Sequence, residues 1–340
     1  MTTAENILSL STREADKLFP GDEKAVKAAF KSLAKAWHPD TNGDPRSAKV
    51  FQHLILLRDA ALNRNGGGRS AELLKYVIRK SDGTSLLMKC HRIHKGDFGN
   101  IIVGRHSVAY EYPADWNDLA AAEEQHVRNF EFADKEMRKE FSRFLAAFDR
   151  KFETVGGTVL VYRRPTDTVL LADLMAHCGR ISPVHAAWIV SSMINLACYV
   201  QWAGFVHGAI SPENLLVCPE KHSLVLVGGW GYATEIGKRP KALPRRTVEL
   251  LPRLAAKGQT ISTSADLELI KLTAQEILGA PGGGGMRLQK GVPMPLADWL
   301  AQPAGDDAIE EYERWNEVLK DSFGPRRFVN MGVKPADIYK

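Results

Sequence analysis

Between Asp22 and Trp37, the apolar residues Val26, Phe30, Leu33 and Trp37 recur at spacings of four and three, so they share one face of a predicted helix. Lys24, Lys27, Lys31 and Lys35 recur at three and four on another face. The helix therefore buries one stripe and shows a basic one to water. It stops at His38-Pro39, because proline disfavours helical geometry in the residue before it. A polar loop, Asp40–Asp44, precedes a second helix from about Pro45 to Leu62, with Phe51, Leu54, Ile55, Ala61 and Leu62 as its apolar side. Pro45 suits the first helical turn, where its missing N–H costs nothing. Two antiparallel helices joined by a short tip make a helical hairpin.

The pattern breaks at Asn65-Gly66-Gly67-Gly68-Arg69-Ser70. Three consecutive glycines lose the most backbone entropy in any regular element, so residues 65–70 read as a linker. Beyond it lies a strand-like region with turn signals, then a helical stretch from about Asn117 to Phe148. Strand-like runs follow at Gly157–Tyr162 and Ser223–Val227, and the remainder is mostly helical, with a second glycine run at Gly282–Gly285 expected as a flexible loop. Strands first and helices later argue for an α+β unit after the linker. The expected division is 1–64, an all-α unit; 65–70, the linker; and 71–340, the α+β unit. No internal repeat is visible.

Composition narrows the function classes. A chain of 340 residues implies two or three domains. At 44% hydrophobic and 25% charged, disorder is not expected to dominate. The net charge of +5 is mild, below the level at which polyanion binding is the default. No run of about 18 uninterrupted apolar residues predicts a membrane span, and the opening MTTAENILSLSTREADKLF has no apolar secretory core. Cys90, Cys178, Cys198 and Cys218 form no C-x-x-C pair, which fits reduced thiols in a cytoplasmic protein.

The run AFKSLAKAWHPDTNGDPRSAKVFQHL, with His38-Pro39-Asp40 at its tip, resembles the second helix, tip loop and third helix of the J-domain of DnaJ-type co-chaperones. The resemblance covers about Ser11 to Asn63. It departs from the family at the start, where TREADKLFPGD from Thr12 replaces the usual aromatic opening and is expected as the first helix. The resemblance implies a DnaK-type chaperone as partner, engaged by His38, Pro39 and Asp40 so that its ATP hydrolysis is promoted. Lys24, Lys27, Lys31 and Lys35 would meet an acidic surface on that partner, speeding and orienting the encounter. Read without the resemblance, the stripe is a solvated face. Four lysines without interleaved aromatics do not point to nucleic acid, which a steep salt dependence of binding would reveal.

A second resemblance lies in Gly204-Phe205-Val206-His207-Gly208-Ala209-Ile210-Ser211-Pro212-Glu213-Asn214-Leu215-Leu216, which is similar to the H-R-D-x-K-P-E-N-L-L catalytic loop of protein kinases. His207 and Asn214 match, but Ala209 stands at the catalytic aspartate and Ser211 at the lysine. Further on, Gly229-Trp230-Gly231 resembles D-F-G, with Gly229 at the magnesium-binding aspartate and Gly231 matching. Around these, Gly96 and Gly99 resemble a reduced glycine-rich loop, and Val108-Ala109-Tyr110-Glu111 sits like V-A-I-K with Glu111 in place of lysine. Glu123 or Glu124 stands for the αC glutamate, Val159–Tyr162 with Arg163-Arg164-Pro165 for the fifth strand and hinge, His185–Ala203 for the helix before the catalytic loop, and Asp266 for the buried aspartate of the αF segment. The resemblance covers about Lys89 to Val329 and implies two lobes, about 71–162 and 163–340.

Phosphoryl transfer needs a lysine on the phosphates, metal held by an aspartate and an asparagine, and a carboxylate near the accepting hydroxyl. Only Asn214 survives among these, so the expectation is a pseudokinase: no catalysis, no cofactor and no metal. Gly96 and Gly99 read equally as a hairpin turn, and His91-x-x-His94 lacks a third ligand for zinc. Trp188, Trp202, Trp299 and Trp315 are expected in the core. The chain as a whole reads as a co-chaperone or adaptor whose kinase-like unit binds a client or scaffold protein. An atypical phosphotransferase or nucleotide-dependent switch is the alternative, resting on Asn214 and Gly96-x-x-Gly99.

Overall fold

A computed structural model describes residues 3–21, 23–38, 42–65, 73–256, 258–280 and 291–339. Pro39, Asp40, the three glycines Gly66–Gly68 and the run Gly282–Gly285 lie outside the described residues. The chain divides into two compact units, Met1–Leu74 and Lys75–Tyr339.

The first unit is helical. Helix α1 spans Ala4–Ser9, α2 Glu23–Ala36 and α3 Ser47–Asn65. Residues Thr12–Lys17, expected to form an α-helix, make a 3-10 turn instead, and α1 before it carries the buried Ile7. Helices α2 and α3 run antiparallel: Arg58 lies over the Phe30 ring at 4.3 Å, and His38 meets Phe51 edge-on at 5.4 Å. Val26 is fully buried, with Phe30, Leu33 and Trp37 packed around it, as their spacing requires. On α3 the buried set is Val50, Leu54, Leu57 and Ala61, at spacings of four, three and four. Phe51 and Ile55 flank that stripe half-buried, and Val50 and Leu57 replace them at its centre. Asn42 closes the end of α2, its Nδ2 donating to the Ala36 carbonyl at 2.8 Å and its N–H to that of His38.

The second unit is mixed α and β. Its sheet comprises β1 (Leu74–Arg79), β2 (Ser85–Lys95), β3 (Asn100–Gly104), β4 (Ser107–Pro113), β5 (Phe148–Thr154) and β6 (Gly157–Arg163), in the order β1-β2-β3-β4-β6-β5. The pairs from β2 to β5 are antiparallel. The predicted helix over 117–148 is two helices, α4 (Asn117–Arg128) and α5 (Lys135–Phe141), and its end is taken by strand β5. Helix α4 lays Leu119, Ala120, Glu123 and Val127 inward.

A helical part follows: α6 (Leu171–Cys178), α7 (Pro183–Trp202), α8 (Arg245–Leu250), α9 (Ser264–Ile277), α10 (Met294–Ala301), α11 (Ala308–Phe323) and α12 (Pro335–Ile338). Short strands β7 (Val169–Leu170), β9 (Leu215–Cys218) and β10 (Ser223–Leu226) form a small sheet, and β8 (Phe205–Val206) pairs with β11 (Thr234–Glu235). Helix α7 is long and apolar enough to cross a bilayer, but 61% of its apolar window is buried inside the unit. Trp299 and Trp315 are core residues and their rings meet at 4.6 Å. Trp202, at the end of α7, is 48% exposed and is not.

Candidate functional site

In the first unit, Lys24, Lys27, Lys31 and Lys35 are all exposed along α2. His38, at the end of that helix, is half-buried against Phe51 rather than free in solvent. The helix that carries the lysine face thus ends two residues before a histidine whose ring packs on α3.

In the second unit, the residues around Ala209 converge. The first turn of α9 carries Asp266, 2% exposed, whose two carboxylate oxygens accept the N–H groups of His207 and Gly208, each at 2.7 Å. Thr247 Oγ1 donates to the Gly208 carbonyl at 2.7 Å. Burial pushes the Asp266 carboxyl up to about 6, against the opposing pull of the two N–H bonds. His207 is fully buried, its ring edge-on to Trp230 at 4.8 Å, and burial holds its imidazole down at about 3. Nδ1 accepts from the Ala209 N–H, so the proton of the neutral ring sits on Nε2. Asn214 Nδ2 donates to the Ala209 carbonyl at 2.9 Å. His207, Ala209, Asn214, Gly229 and Asp266 are therefore brought together.

Gly229 has φ +85°, and a Cβ there would lie 2.8 Å from Asn214 Nδ2, 3.0 Å from the His207 ring and 3.1 Å from the Ala209 Cβ. Any side chain there would be strained by the backbone and would press on Asn214. Gly231 is similarly closed by Leu119, although its N–H reaches Glu123 Oε2 at 3.2 Å.

On β4 successive side chains lie on opposite faces, and Glu111 is among the residues that line the cleft beneath the β2–β3 hairpin. Glu111 points to the opposite face from α4 and accepts from Asn100 Nδ2 at 2.6 Å. Tyr112, one residue on, faces α4 and donates to Glu123 Oε2 at 2.5 Å. A strand alternates faces with period two, so Glu111 and Tyr112 lie on opposite faces. Of the two candidate glutamates, Glu123 is the inward one, wholly buried, and also accepts from Tyr162 Oη at 2.7 Å. Glu124 faces outward and pairs with Arg128 and Lys151. Burial pushes the Glu123 carboxyl up, opposed by the two phenols. Tyr110, inward like Tyr112, donates to the Glu213 carbonyl at 3.3 Å and lies against Gly228, where a Cβ would meet its ring at 2.3 Å.

Gly96 and Gly99 close a tight hairpin between β2 and β3, the Gly96 N–H donating to the Gly99 carbonyl at 2.8 Å. A Cβ at Gly99 would come within 2.1 Å of the Glu111 carbonyl, so strand packing itself demands glycine there. The hairpin is held down on both sides of its tip. Phe98 packs on Trp116 at 4.0 Å and Tyr232 at 5.7 Å, and Asp97 Oδ2 accepts the Arg245 N–H at 2.9 Å. Beneath it a cleft of ≈ 640 Å³ runs from Ala209 and Asn214 to Arg246, Lys271 and Gln275 on α8 and α9. Arg246 is paired with Glu276, and Lys271 donates to the carbonyls of Trp299 and Gln302, each at 2.9 Å, so these cations are committed to the fold.

No family model matches the chain, and no curated protein matches it either.

Proposed function

We propose that the chain is a cytoplasmic J-domain co-chaperone or adaptor. Its first unit docks on a DnaK-type chaperone through His38-Pro39-Asp40 and the lysines of α2. Its second unit is a kinase-like module without catalysis that binds a client or scaffold protein. The observation that carries the first part is the four-lysine face of α2, exposed along its length and ending at His38 on the same antiparallel helix pair. Such a face steers an acidic partner before close contact forms.

Support for the second part is steric. A side chain at Gly229 would be strained, Ala209 offers no carboxylate, and a phenol rather than an ammonium reaches Glu123. The buried Asp266 nonetheless braces the 207–208 backbone as a kinase-like loop would need. A fold kept while its chemistry is lost fits use as a binding module. The test is capture of a DnaK-type chaperone by the full chain and by a form lacking residues 1–68. Only the former should retain it, and retention by both would place the chaperone contact outside the first unit.

A further inference from the structure

Beyond the cleft, the second unit holds a slot with an occupant from its own chain. The Tyr339 ring is stacked on His91 of β2, centroids 4.7 Å apart and planes 18° from parallel. The Arg164 guanidinium lies over the ring at 4.7 Å. Tyr339 Oη donates to Asp173 Oδ2 on α6 at 2.7 Å and accepts the Leu170 N–H at 2.9 Å. The other Asp173 oxygen is 3.0 Å from His94 Nε2. Burial and the neighbouring Arg164, Arg92 and Arg105 hold His91 down at about 4, so it stacks as a neutral ring.

Three features make this a binding slot rather than ordinary core. First, its walls are polar and built: Arg164 is 4% exposed, anchored by Nη1 to the Gly104 and Arg105 carbonyls and by Nη2 to that of Thr168. Second, buried nitrogens at its walls, His91 Nδ1 and Arg164 Nε, have no hydrogen-bond partner among the described residues. Third, the occupant hangs on residues 325–334, which form no helix or strand and are mostly exposed. Short, exposed segments of this kind detach at low free-energy cost.

We infer that the slot between β2 and α6 is a binding site for a phenol ring, with Tyr339 as its resident ligand, and that this ligand ties the sheet to the helical part of the second unit. The phenol class follows from the chemistry. A planar ring fits between imidazole and guanidinium, and one hydroxyl both donates to a carboxylate and accepts a backbone N–H.

The test uses the full chain. Tyr339→Phe keeps the ring and removes the hydroxyl, so exchange of the Leu170 amide should quicken by about fivefold or more. Tyr339→Ala empties the slot and should lower the melting temperature. Added p-cresol, at about ten times its dissociation constant, should restore about 3 °C or more to that variant. It should do nothing for wild type, whose slot is filled, and toluene, lacking the hydroxyl, should rescue less. Unchanged Leu170 exchange in Tyr339→Phe overturns the proposal, even if the alanine variant fails to fold. So does a p-cresol shift equal in wild type and Tyr339→Ala.

Discussion

Tyr112 and Glu123 meet across the face of β4 and α4, phenol donating to carboxylate at 2.5 Å, with both side chains shut off from water. Around a buried carboxylate this is a demanding arrangement. Three donors, from Tyr112, Tyr162 and Gly231, replace the water that Glu123 gives up.

Tyr112→Phe should therefore destabilise the second unit by about 1–3 kcal/mol, the usual cost of leaving a buried acceptor short of a donor. Glu123→Ala should cost more than Glu123→Gln, because glutamine keeps the volume and an acceptor oxygen. Urea unfolding followed by tryptophan fluorescence measures all three. Equal losses for alanine and glutamine would show that the phenols are not held by the carboxylate.

A second prediction concerns Gly229. The combination of φ +85° and three neighbours within 3.1 Å of a built Cβ makes even alanine strained there. Gly229→Ala should destabilise by about 2 kcal/mol or more. Gly229→Asp alone should not confer phosphoryl transfer, since Ala209 supplies no carboxylate for the accepting hydroxyl and no lysine stands at Glu111. Transfer of label from ATP by the wild-type chain that disappears in Asn214→Ala would contradict the non-catalytic reading.

Acid should weaken the second unit through His207. Its folded value, about 3, lies below the ordinary 6.5, so below pH 6.5 the unfolded chain binds a proton that the native state refuses. Stability then falls as pH drops, by about 1.4 kcal/mol per pH unit from this group alone. Asp266, raised to about 6, has the opposite sign. Between about pH 4 and 6 its native form keeps a proton that the unfolded chain releases, so it offsets part of the loss. Melts at pH 7, 5.5 and 4.5 should show a shallower fall for His207→Gln than for wild type.

The sequence was informative where local pattern and close spacing decide the outcome. The α2 stripe and the Gly157–Tyr162 strand both follow from the period of apolar residues along the chain. What escaped it depends on contacts distant in sequence. The face on which Glu111 lies is set by pairing of β4 with β3 and β6, and Val108-Ala109-Tyr110-Glu111 alone cannot fix a period-two register. Likewise, His91-x-x-His94 lacks a third ligand along the sequence, and only folding brings Tyr339, 248 residues away, onto His91. The contact of His38 with Phe51 is likewise a product of helix packing.

The lysine face yields a kinetic prediction. Reversing charge at Lys27 and Lys31 should slow association with a DnaK-type chaperone while leaving dissociation nearly unchanged, and the loss should shrink as salt rises. Stopped-flow association at two ionic strengths tests this. A loss confined to the dissociation rate would assign those lysines to close contact instead of steering.

The most direct measurement is single-turnover ATP hydrolysis by the cognate DnaK-type chaperone, with and without the full chain, beside a melting curve for each variant. Wild type should accelerate hydrolysis. His38→Gln should abolish the acceleration while costing only about 0.5–1 kcal/mol of stability, the price of a half-buried edge contact with Phe51. No acceleration by wild type, or full acceleration by His38→Gln in a folded chain, would contradict the co-chaperone account.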